Sequence, residues 1–248
     1  MSFNEEKDAQ AAWEEKYVEK QDYAVFCPVV NRFDLLDEAV ASTAPYKLTV
    51  IDNSNGNLGN RYKDTEHVTV YVPVIPLNFQ QTSNLECKLA KLRGAKYYVH
   101  MHHDAKFPSE RIGDLLEIAR KADVDGRKWL VIFTLYDILC AYNVAAMEDL
   151  GGYDSHLFHL YHGDNDLWRR AKLVGYERIE GGGEGVVHLG GGSTTMNSDL
   201  RWRICNDNQF PLSAEIYRRK WGGGPDQEVF TSPFGRPDVF PDLKPLIP

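Results

Sequence analysis

The chain has 248 residues and a formal net charge of −8, with 43% hydrophobic and 26% charged residues. A chain of this length can bury roughly 70 to 75% of its unfolded surface, and its composition is that of an ordinary globular protein. The acidic balance argues against nucleic acid as a partner, because a phosphate backbone demands a basic footprint. A small anionic substrate, met by a metal ion or by local amides, stays open.

Residues 1–22 read as a polar lead-in, partly helical through AAWEEKYVEK. The opening MSFNEEKDAQ has no apolar signal region, and no run approaches the length of a membrane-spanning segment. Cys27, Cys87, Cys140 and Cys205 are widely spread and read as reduced residues, so a cytoplasmic location is expected. YAVFCPVV (23–30) is a strand that should end near Pro28. RFDLLDEAVAST has helical spacing, with Phe33, Leu36, Ala39 and Val40 on one face. KLTVIDNS is a strand ending in Asp52 and Asn53 before the turn-rich NSNGNLGN. HVTVYVPVI (67–75) is a strand, and residues 82–93 form a helix stopped by Gly94.

KYYVHMHHD follows as a strand, SERIGDLLEIARKAD as a helix and WLVIFTL (129–135) as a buried strand. DILCAYNVAAMEDLGGYD reads as a helix ending at Gly151–Gly152. Such alternation predicts an α/β fold with a mostly parallel sheet flanked by helices. Ligands of such sheets bind beyond the carboxyl ends of the strands. Pro28, Val30 and Arg32, then Asp52 and Asn53, then His102–Asp104 all fall at those ends. After residue 178 the pattern loosens into glycine runs and a proline-rich end. An irregular C-terminal region over the cleft is expected, with residues 225–248 as a surface tail.

Two acidic places stand out. Asp104 follows a strand and two histidines, where a carboxylate either holds a hard cation or caps the turn before PSER. His102 and His103 fall on opposite strand faces, so at most one points into a site. Asp164 and Asp166 open the helix DLWRRAKLVG. There they either stabilise its exposed amides and dipole, or one of them removes a proton from an attacking hydroxyl. Arg169 and Arg170 pair with acids, line a phosphate site or face solvent. His188 precedes a glycine–hydroxyl loop, VVHLGGGST, whose amides could cradle an anion. That loop lacks the GKS/T ending of a P-loop.

In order, CPVVNR, VIDNS, YYVHMHHD, AYNVAAMEDLGGYDSHLF, GDNDLWRRAKLVGY, VVHLGGGST and YRRKWGG resemble the family 2-like glycosyltransferases of GT-A fold, over residues 23–224. The resemblance implies metal-dependent, inverting transfer of a sugar from a nucleotide-sugar donor to a carbohydrate acceptor, with Mn²⁺ or Mg²⁺ as cofactor. It implies that Asp52 contacts the base or ribose, with Pro28, Val30, Arg32, Asn53 and His103 lining the donor site. Asp104 would bind metal and diphosphate as the last acid of a DXD-like motif, and His188 would be a further ligand. Asp164 would be the catalytic base and Asp166 the acid that organises the site. Two departures mark the chain: the first acid of the DXD-like motif is His102, and the Glu–Asp pair has become Gly163–Asp164. The rival readings are a catalytically silent carbohydrate-binding or scaffold domain of this fold, and a sugar-1-phosphate nucleotidyltransferase. The glycine-poor VVNRFDLL disfavours the latter.

Overall fold

The computed structural model describes residues 21–189 and 193–238. Expectations for residues 1–20, for the Gly190–Gly192 run and for residues 239–248 lie outside the described residues. Nine strands are found among the described residues: β1 (Tyr23–Val29), β2 (Leu48–Asp52), β3 (Val68–Tyr71), β4 (Tyr97–Met101), β5 (Ala105–Lys106), β6 (Trp129–Phe133), β7 (Leu139–Asn143), β8 (Glu177–Glu180) and β9 (Val187–His188). The helices are α1 (Phe33–Thr43), α2 (Phe79–Leu92), α3 (Glu110–Val124), α4 (Val144–Leu150), α5 (Gly163–Leu173), the single turn α6 (Ser193–Met196) and α7 (Leu200–Trp221).

Seven strands form one sheet in the order β3-β2-β1-β4-β7-β6-β8. Every neighbouring pair is parallel except those made by β7, which runs antiparallel to both β4 and β6. The sheet is therefore mixed. Pro28 stays inside β1, opposite Ile51. It is tolerated because pairing with β4 has already ended at Phe26–His100, so the missing amide interrupts no ladder on that side.

The Leu139–Asn143 segment corrects the helix expected from DILCAYN. Leu139 and Ala141 pack into the apolar layer on one sheet face, Cys140 and Tyr142 into the layer on the other. A strand buried on both faces reads as a continuous apolar run, which periodicity alone does not separate from a helix. The reversal is made at residues 134–138, where Thr134 Oγ1 and N both donate to Leu139 O and Tyr136 has φ 54°. Asn143 then caps α4, its side chain accepting from Ala146 N at 3.2 Å.

The C-terminal region is also more regular than expected. Asp199 caps a 22-residue helix, α7, by accepting from Arg201 N and Trp202 N. The helix contains Pro211, and only Ser213, Tyr217, Lys220 and Trp221 are buried along it. With no apolar stripe in its first half, it carries little sequence signal. Past it, Val229 N and Phe230 N both return to Trp221 O. All four cysteines are free, and no helix among the described residues is long and apolar enough to cross a membrane.

Candidate functional site

The order β2-β1-β4 sets three strand ends side by side, with Val29 directly opposite Asp52. His102, Asp104 and His188 meet at this edge, each offering a donor atom within 4.8 Å of the other two. The short β5–β9 ribbon makes the meeting possible. It pairs Ala105 with His188, and Leu189 N donates to Asp104 O at 2.8 Å. His102 is fixed from the other side, where its backbone N donates to Ile138 O.

His188 Nε2 lies 3.2 Å from Asp104 Oδ1, and His102 Nδ1 lies 3.9 Å from the same oxygen. Neither His102 Nε2 nor His188 Nε2 makes a well-directed hydrogen bond. Burial lowers the His102 pKa to about 4, so its ring is neutral and keeps a lone pair at ordinary pH. Burial alone would raise Asp104, but the imidazoles around it outweigh that and hold the carboxyl below its usual range. The same contact with Asp104 raises His188. Two imidazoles and one carboxylate make a mixed N,N,O donor set. Such a set fits Mn²⁺ or another first-row ion better than Mg²⁺, which demands oxygen ligands.

Beneath this cluster sits a buried ion pair. His100 Nδ1 contacts Glu86 Oε2 at 2.8 Å, and both side chains are almost fully enclosed. Burial disfavours the charged ring, but Glu86 outweighs it and His100 is raised. The rings of His100, His102 and His188 follow one another edge to face at 5.4 and 5.5 Å, with Phe79 against the first two.

The other expected donor-site residues are placed as follows. Arg32 lies just beyond β1 and is clamped by Asp34 through Nε at 2.9 Å and Nη2 at 2.6 Å; Val30 is half-buried beside it. Asn31 Nδ2 reaches Ser198 Oγ at 2.9 Å, and His103 Nε2 lies 3.0 Å from Thr195 Oγ1. His103 is thus turned to the 195–198 turn while His102 enters the cluster. Asp52 and Asn53 are buried. Asp52 Oδ1 accepts from both N and Oγ of Ser54. Asn53 donates to Thr82 Oγ1 and accepts from Leu77 N.

Two residues of the cluster escaped the sequence reading. His102 carried a signal, since it occupies the position of the missing first acid. Asp137, in the β6–β7 turn, carried none. Its Oδ1 lies 3.8 Å from His102 Nε2, and its charge also acts on His188 and on Asp164.

Asp164 and Asp166 share the first turn of α5 but live in opposite surroundings. Burial, followed by the charge of Asp137, raises Asp164 to about 6. Asp166 is fully enclosed, and burial pushes it up, but Arg170 and Lys220 outweigh that and hold it below the usual carboxylate range. Its Oδ2 accepts from Arg170 Nε at 2.9 Å. Its Oδ1 accepts from Trp221 Nε1 at 2.9 Å and meets Lys220 Nζ at 2.7 Å.

No family model matches the chain, and no curated protein is significantly similar to it. Among solved structures it is similar to the mannosyltransferase PcManGT from Pyrobaculum calidifontis in complex with GDP-Man and Mn²⁺. That likeness has 15% identity over 88% of this chain and 74% of that one, with a TM-score of 0.54. It is also similar to S. aureus TarS 1–349 in complex with UDP, with 11% identity over 84% of this chain and 74% of that one and a TM-score of 0.51. At such identities the likeness concerns the fold alone, an α/β fold of the kind these two proteins share.

Two outcomes are expected. Calorimetric titration should show Mn²⁺ binding at least about tenfold more tightly than Mg²⁺, as the donor set requires, and Asp104→Ala or His188→Ala should abolish the Mn²⁺ heat. Asp166→Ala should lower stability to urea by about 3–5 kcal/mol, because it leaves buried cations without their counter-charge.

Proposed function

We propose that this protein is a metal-dependent, inverting glycosyltransferase acting on a nucleoside-diphosphate sugar donor and an acceptor hydroxyl. The observation that carries the reading is the His102–Asp104–His188 donor set at the strand ends, with Asp137 beside His102 Nε2 and Asp164 at the start of α5 within reach of the Asp137 charge. The solved structures with this fold that contain GDP-Man with Mn²⁺, or UDP, support the substrate class.

The nucleotide lies over the ends of β1 and β2, against Pro28–Arg32 and Asp52–Asn53. The diphosphate faces His102, Asp104 and His188, the residues that would hold the metal. Bound there, Mn²⁺ supplies Lewis acidity that offsets charge on the departing diphosphate. Asp164 accepts the proton of the acceptor hydroxyl as that oxygen bonds to the anomeric carbon and the bond to the diphosphate breaks. The inverting reading assigns Asp164 the acceptor proton and no covalent role. Asp166 is spent on Arg170, Lys220 and Trp221, and Asp137 is turned to His102. Single displacement with inversion is the step we propose.

Asp164→Asn should remove transfer while leaving Mn²⁺-dependent donor binding within about twofold, a free-energy change well under one tenfold step. A variant that transfers at the wild-type rate would overturn the assignment. In the wild type, kcat/KM should rise with pH up to about 6 and then level, because Asp164 works deprotonated and its pKa is raised to about 6. A flat profile between pH 5 and 7 would count against this base.

A further inference from the structure

The helix that carries Asp164, α5, also borders a cavity further along its length. Positions 164, 168 and 172 are successive i, i+4 neighbours and line up along one side of the helix. Trp168, Arg169 and Lys172 line a cavity of about 230 Å³ bounded by Arg178 of β8 and by Tyr217, Asp226 and Glu228 from α7 and the turn after it. The cavity wall therefore runs about 6 to 12 Å along the axis from Asp164, at about 1.5 Å per residue.

Arg32, Arg61, Arg120, Arg127, Arg170 and Lys220 each pair with a carboxylate. Arg169, Lys172 and Arg178 pair with none among the described residues. Arg178 lies on the faces of Trp168 and Phe133, at 4.1 and 5.1 Å from the ring centroids. Arg169 donates from Nη2 to Phe230 O at 2.7 Å, but its Nε is buried without an acceptor. Trp168 Nε1 is likewise buried and unpartnered. Glu228, on the opposite wall, is committed to the Tyr217 hydroxyl. In a chain of net charge −8, three cations without an ion-pair partner thus line one small cavity that holds two carboxylates, Asp226 and Glu228. The cations outnumber the carboxylates, one of which is held by Tyr217, and an oxyanion balances that excess while offering acceptors in the plane that a guanidinium fork prefers.

We propose that this cavity binds an oxyanion carried by the acceptor, a phosphate ester or a carboxylate, so that the acceptor is an anionic glycan or polyol and not a neutral sugar. The proposal rests on the reading of Asp164 as the base and deepens it. The anion anchors against Arg169, Lys172 and Arg178, and the acceptor extends along α5 to present its hydroxyl at Asp164. Trp168 and Tyr217 contribute apolar walls that exclude water and strengthen the charge interaction.

The test is calorimetry on the whole chain with three probes: glycerol 3-phosphate for the phosphate arm, glucuronate for the carboxylate arm and glucose as the neutral arm. At least one anionic probe should bind the wild type with a millimolar or lower dissociation constant, and glucose should give no comparable heat. An Arg169→Gln/Lys172→Gln double variant should bind that probe about tenfold more weakly, the equivalent of about 1.4 kcal/mol. The exposed single variant Lys172→Gln should weaken it in the same direction without disturbing packing. Whichever anionic arm binds identifies the group. Equal affinities in wild type and both variants, or no binding of either anionic probe at millimolar concentration, would overturn the proposal. Nucleoside diphosphate with Mn²⁺, titrated into the same proteins, reads the donor site separately. Its failure to bind the wild type would sink the donor reading and leave the anion result standing.

Discussion

The carboxylate of Asp166 is the contact on which the geometry around α4, α5 and α7 depends. It is wholly enclosed and meets three donors, one from its own helix and two from α7, more than fifty residues downstream. Arg170 carries the connection onward by donating to Leu150 O and Gly152 O at the end of α4, and Lys220 carries it to Asp154 at 2.7 Å. Phe158, Tyr217 and Trp221 pack as a small apolar cluster around the same point. A buried charge is tolerated only where its partners are complete, and removing one is far more costly than the pair is worth. The helix start, the Gly–Gly turn and the C-terminal helix therefore hold together as one body, and Asp164 takes its position from that body.

This constraint explains how two aspartates one residue apart have opposite electrostatics. On a helix, positions 164 and 166 point to different sides. One side is the packed seam with α7, rich in cations; the other faces Asp137. Burial acts on both groups in the same direction, so partners decide the sign of each shift. A helix N-terminus alone would have favoured the ionised form of both. The glycine before Asp164 also has a packing cause. A Cβ at Gly163 would stand 2.2 Å from Gln80 Nε2, and Gln80 is itself buried and donates to Leu160 O. The acid expected at that position from the family pattern has no room, because a side chain of α2 fills the space.

The strands β1, β2, β4 and β6 and helices α1, α3 and α5 were legible, because each carries a clean apolar period bounded by Gly, Asn, Asp or Ser. What failed did so for identifiable reasons. Leu139–Asn143 is apolar on both faces, so alternation was invisible and its joint with α4 passed for helix. Leu200–Trp221 buries four residues near one end and carries a proline, so local pattern gave no reason to expect 22 helical residues there. At the strand ends, Asp104 and His188 could be singled out from their positions, yet their meeting depends on the two-residue pairing of β5 with β9, a ribbon too short to leave a periodic trace. Asp137 was unreadable for the same kind of reason, since only the reversal into antiparallel β7 turns it towards His102.

That reversal also bears on the metal chemistry. With β7 inserted between β4 and β6, the turn at 134–138 stands beside the end of β4, and Ile138 O fixes the backbone of His102. His102 then lies between two carboxylates, with Nδ1 towards Asp104 and Nε2 towards Asp137. An imidazole held this way can ligate through one nitrogen while the other faces an acid that fixes its tautomer and raises its basicity. The substitution of a histidine for the first acid of the motif thus keeps the site's donor count and changes its character, from all oxygen towards mixed nitrogen and oxygen. Beneath it the buried His100–Glu86 pair stiffens the same strand end. For an ion held by His102, Asp104 and His188 the mixed donor set would favour Mn²⁺ over Mg²⁺, and that set owes as much to one strand's direction as to the residues themselves.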